Sequence, residues 1–101
     1  MNNQADGDIG SLIKLREYGV VTFMSTSSAL KAERVMKAAE RTFLVIPTPR
    51  EISTSCGLSL KVVPEDINEF CRILREGGVD IDGVYHLSKD GRKTEVNRLN
   101  V

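Results

Sequence analysis

The 101-residue chain has no excess of charge, since 14 Lys and Arg are matched by 14 Asp and Glu. Without a positive surplus, a nucleic-acid backbone is a poor partner. Long apolar runs are missing too. The longest, Phe43 to Ile46, is far too short to cross a bilayer, and Met1 to Gly10 is polar, without the apolar core of a secretion signal. No membrane association is expected, and the cytoplasm is the expected compartment. Histidine occurs once, as His86, and cysteine twice, as Cys56 and Cys71. No two of these have the close spacing of a zinc site, so neither a metal nor a cofactor is expected. The sequence also has no GxGxxG or GxxxxGK[ST] pattern and no nucleophile-base-acid triad. In a reducing compartment both cysteines should be thiols, which argues against a permanent Cys56–Cys71 staple.

What is present fits one globular domain. Hydrophobic residues make up 41% and charged residues 28% of a chain long enough for a single core. Residues 1–17 read as a polar tail, Met1 to Asp8, followed by a short helix or ordered lead-in from Ile9 to Glu17. Residues 18–101 read as the domain itself.

Tyr18 to Met24 is rich in β-branched and aromatic residues and predicts a strand. The hydroxyl cluster Ser25 to Ser28 can cap a helix, expected from about Ser28 to Arg41, with Ala29, Ala32, Met36 and Ala39 toward the core. Thr42 to Ile46 is nearly all apolar, as in a strand held centrally or covered on both faces. Pro47 and Pro49 end it. Leu58 to Val63 alternates, placing Leu58, Leu60 and Val62 on a core face and Ser59 and Lys61 on a wetter one. Pro64, Glu65 and Asp66 suit a helix start, and Ile67, Phe70, Cys71 and Leu74 form the cleanest helical stripe in the chain. Gly77-Gly78 stops that helix. Val84 to Ser88 predicts another strand, Asp90-Gly91 a turn, and Lys93 to Val101 a ragged edge strand.

The order β-α-β-β-α-β describes an α+β, ferredoxin-like two-layer sandwich: an antiparallel sheet, two helices on one face, and an extra C-terminal edge strand. An edge strand would also offer a route to a homodimer. Many unrelated activities share this fold, so it names no function.

The segment from Pro47 to Gly57 is the informative one. A plain connection between two such strands takes two to five residues; this one is longer and ends in Cys56-Gly57. A thiol reacts as thiolate and needs neighbours that stabilise the anion. Arg50, the hydroxyls of Ser53, Thr54 and Ser55, and amides near Gly57 are candidates, and Gly57 leaves room for a bulky partner to approach. The other reading of Cys56 is a small buried hydrophobe at the start of the strand at Leu58. On the residues alone both stand. Cys71, within an apolar stripe, reads as core, and His86 as a surface residue.

Val21-Thr22-Phe23 followed by Ser27 to Glu33, and above all Ile46 to Leu58 with its Pro-rich start and Ile-Ser-x-x-Cys-Gly core, resembles the selenium/sulfur carrier protein-like family. The likeness covers residues 18 to 88. It implies that Cys56 holds sulfur or selenium as a persulfide or selenopersulfide, taken from a donor protein and passed to an acceptor protein. On that view Arg50 stabilises the thiolate, Ser53 and Ser55 shape the loop, and Gly57 clears the approach. Such a protein carries an atom and does not turn over a substrate. Two other classes remain open: a binding or regulatory module whose 50–57 loop holds a small anion, and a redox sensor that oxidises Cys56.

Overall fold

The computed structural model describes residues 12–101; the expectations for the tail and for Ile9 to Ser11 lie outside them. Seven main elements follow in order: β1 (Glu17–Phe23), α1 (Thr26–Ala38), β2 (Leu44–Pro47), β3 (Leu58–Val62), α2 (Ile67–Glu76), β4 (Ile81–Asp90) and β5 (Lys93–Arg98). A single 3-10 turn, Pro64–Asp66, leads into α2. The strands form one antiparallel sheet in the order β2-β3-β1-β4-β5. The fold is α+β, and the expected C-terminal strand is present at one edge.

Strand alternation divides the core between the two faces of the sheet. On one face Val21 and Phe23 of β1, Leu60 and Val62 of β3 and Val84 of β4 pack against both helices. Helix α1 contributes Ala29, Ala32 and Met36; α2 contributes Ile67, Phe70, Cys71 and Leu74, the stripe expected from its spacing. Ser25 caps α1, its hydroxyl accepting from the Ser28 amide at 3.1 Å. At the other end of that helix Ala39 is the C-cap and is exposed, not turned to the core, because the helix ends one residue before it.

Gly19 makes room for α2. A Cβ there would lie 2.6 Å from Ile67 Cγ1 and 2.7 Å from Cδ1, so the glycine is a notch into which the first residue of α2 fits. Gly78, at φ +77°, supplies the left-handed turn after α2.

The opposite face carries a second, smaller cluster of Tyr18, Val20, Ile52, Tyr85 and Leu87, with Leu15, Ile46 and Val96 packed on it. This corrects two expectations. Ser59 and Lys61, anticipated on a wet face, are 0% and 8% exposed, because that face is covered as well. β2, anticipated as held centrally or covered on both faces, is an edge strand, paired only with β3 among the described residues. Its apolar run has a different cause: Ile46 packs on the second cluster, and Phe43 packs on the helix-side core with its ring edge-on to Phe70.

Candidate functional site

The connection from Thr48 to Gly57 leaves and rejoins the sheet at a hydrogen-bonded base. The Thr48 amide donates to the Gly57 carbonyl at 2.9 Å, extending the β2–β3 ladder by one bond. The Thr48 hydroxyl donates to the Cys56 carbonyl at 3.0 Å and lies 2.6 Å from the Ser59 hydroxyl. Beyond that clasp the loop folds over both faces of the sheet. Ile52, 6% exposed, enters the second cluster, whereas Cys56, 3% exposed, enters the helix-side core. Two anchors on opposite faces account for a length that a simple connection would not need.

Further polar ties hold the ascending arm of the loop. Thr54 donates to the Asp82 carboxylate at 3.2 Å, and the Cys56 amide donates to the Thr54 hydroxyl at 3.4 Å. Buried Thr22 shares its hydroxyl between the Gly83 carbonyl at 3.2 Å and Asp82 at 3.4 Å. Asp82 thereby joins the loop to β1 and β4. The Ser55 hydroxyl reaches the Met24 carbonyl at 3.4 Å.

Of the two readings left open for Cys56, the structure has the buried residue and not the open thiol that a carrier calls for. Its Sγ donates to the Leu58 carbonyl at 3.3 Å. Its surroundings on one side are apolar core. The next residue, Gly57, is exposed, and an added Cβ there would meet no atom within 4 Å beyond its two chain neighbours. The chain thus offers a buried sulfur next to an uncrowded surface position.

The sequence grouped Arg50, Ser53, Ser55 and Gly57 around that sulfur, and the structure separates them. Arg50 is exposed and lines a concavity on the opposite face with Tyr18, Lys61 and Lys89; Cys56 is not among its walls. Ser53 is exposed. Ser55 is tied to Met24, and Gly57 follows Cys56 at an exposed position. Thr48 and Asp82 were not singled out, although both hold the loop; their partners are 8 or more positions away in sequence, where local pattern carries no signal.

Cys71 is a core residue of α2, 1% exposed, and burial pushes its thiol above the usual range, partly offset by nearby Arg75. Both cysteines are free. Half-buried His86 has Nε2 3.3 Å from a Glu17 carboxylate oxygen across the β1–β4 pair. Among the described residues no cluster of His, Cys, Asp and Glu could hold a metal, and no helix is long and apolar enough to cross a membrane.

A family model described as "Putative Se/S carrier protein-like" matches residues 18–86, from β1 into β4 and including the whole loop. No curated protein and no solved structure matches the chain.

Proposed function

Because the chain belongs to the selenium/sulfur carrier protein-like family, we propose that it carries sulfur or selenium on Cys56 and hands it to an acceptor protein. The observation that carries this reading is the position of Cys56 inside the matched span, at the base of a loop whose next residue, Gly57, is open to solvent. The strand order β2-β3-β1-β4, with both helices on one face, supports a ferredoxin-like frame for the loop.

Loading requires the sulfur to turn out of its core position past Gly57. The Cys56 thiol gives up its proton, leaves the Leu58 carbonyl and attacks the outer sulfur of a donor persulfide. One S–S bond forms at Cys56 while the donor's S–S bond breaks, and the donor leaves as a thiolate that takes up the proton. No external oxidant or reductant is consumed. Selenium follows the same exchange, with a selenopersulfide on Cys56. The reading belongs to a reducing compartment such as the cytoplasm, where both cysteines are free thiols.

Intact-protein mass spectrometry tests it. The full chain, mixed with glutathione persulfide, should gain the mass of one sulfur atom. The gain should map to Cys56, survive in Cys71→Ser and vanish in Cys56→Ser. A chain that gains sulfur only after unfolding, or equally well on Cys71, overturns the reading. Protein purified without reductant from cells given selenium distinguishes the two atoms.

A further inference from the structure

The face of the sheet away from the helices holds a concavity of about 380 Å³, within the size range of small-molecule sites. All five strands line it, Ile46 and Pro47 of β2 and Thr94 of β5 included. Tyr18 of β1 and Lys61 of β3 lie on the same face as Lys89 of β4, as strand alternation and the register Val20↔Lys61 and Tyr18↔Leu87 require. The loop adds Arg50 and Glu51, while Ile46, Pro47 and Pro49 form an apolar wall. Three cations against one carboxylate make this a local positive site on a chain with no net charge.

Lys61 is the unusual member. It is only 8% exposed, yet among the described residues its ammonium has no carboxylate partner. Its ammonium lies 4.2 Å from the Tyr18 ring centroid, with Lys89 at 6.0 Å over the same ring, and it donates to the Ile13 carbonyl at 3.4 Å. A buried charge is costly unless fully compensated, and a cation–π contact with one long hydrogen bond is partial compensation. Neither Lys89 nor Arg50 forms an ion pair among the described residues.

We propose that this concavity binds a small organic dianion, a dicarboxylate or a phosphate monoester, between Lys61, Lys89 and Arg50, with the ligand's carbon body against Ile46, Pro47 and Pro49. The site is distinct from the Cys56 thiol, which faces the other layer of the core, and does not depend on it. Two electrostatic effects agree with this placement. Burial, and then repulsion from Lys89, lowers the Lys61 ammonium below the usual lysine range, a strain that an anion between the two would relieve. Burial, and then Glu51, raises the Tyr18 phenol, so its hydroxyl remains a donor.

The test is amide chemical-shift titration of the full chain with succinate and, separately, with glycerol phosphate, each against sodium chloride at matched ionic strength. The expected result is saturable movement at Tyr18, Lys61, Lys89 and Thr94 with at least one of the two probes. Succinate alone identifies the dicarboxylate class, and glycerol phosphate alone the phosphate class. Lys89→Ala and Arg50→Ala, both at exposed positions, should each weaken binding by about tenfold, and Cys56→Ala should leave it unchanged. Shifts that follow ionic strength alone, or binding that Lys89→Ala and Arg50→Ala both leave intact, overturn the proposal.

Discussion

Ile67 sits in the space that a side chain at Gly19 would occupy, its Cγ1 2.6 Å from where that Cβ would be. This contact seats the N-terminus of α2 on β1. Gly19→Ala should destabilise the protein by about 1–3 kcal/mol, because a well-packed core resists added carbon. Ile67→Ala alone should cost about 2–5 kcal/mol through the cavity it leaves. The double variant should lose less than the two losses added together, since each change relieves the other. Denaturant unfolding of the four proteins measures this; strict additivity would mean that the notch does not set the helix position.

Thr48 holds the base of the loop. Thr48→Val removes the donor to the Cys56 carbonyl and leaves Ser59, which is 0% exposed, without its hydroxyl partner. The expected loss is about 1–3 kcal/mol, and Thr48→Ser should recover most of it. Alkylation of Cys56 in the native protein should be faster in Thr48→Val than in the parent chain or in Thr48→Ser.

Gly57 has open space around it and no left-handed backbone requirement. Gly57→Ala should therefore change stability by no more than about 0.5 kcal/mol. A bulkier Gly57→Leu should slow persulfide loading of Cys56 severalfold at an unchanged melting temperature. Loading rates that ignore the size of residue 57 would place the exit path of the sulfur elsewhere.

Cys71 makes stability depend on alkaline pH. Its folded-state thiol titrates above its unfolded value, chiefly from burial, so the folded chain holds that proton more tightly. The contribution is fully present below the unfolded thiol value. It is lost as pH rises from there through the folded value. The stability gap between the parent protein and Cys71→Ala should accordingly narrow in that window. Unfolding curves at neutral and alkaline pH check the sign, and a constant gap would mean that the thiol ionises equally in both states.

What could be read from the residues was whatever depends on neighbours close in sequence. The stripe Ile67, Phe70, Cys71 and Leu74 is set by helical period alone and lies in the core. The Gly77-Gly78 stop and the turn at Gly91, whose φ is +64°, are likewise local. The edge position of β2 depends on which strands pair, and an apolar run cannot report that. Lys61 and Ser59 alternate as a half-wet strand would, but alternation does not say what lies over the polar face; here Tyr18 and the second cluster do. For the candidate site, the loop itself and Cys56 stood out, whereas the burial of the sulfur and the removal of Arg50 to the opposite face arise from folding the loop over both sides of the sheet.

The bond between Thr48 and Gly57 also bears on how such chains can diverge. An insertion between Ser53 and Thr54 would enlarge an excursion whose two ends are already joined and whose anchors, Ile52 and Cys56, lie on either side of the new residues. Doubling the length of such an excursion adds only about 0.6 kcal/mol of closure entropy. Added length at that point would therefore leave the sheet unchanged and alter only the outer turn of the loop.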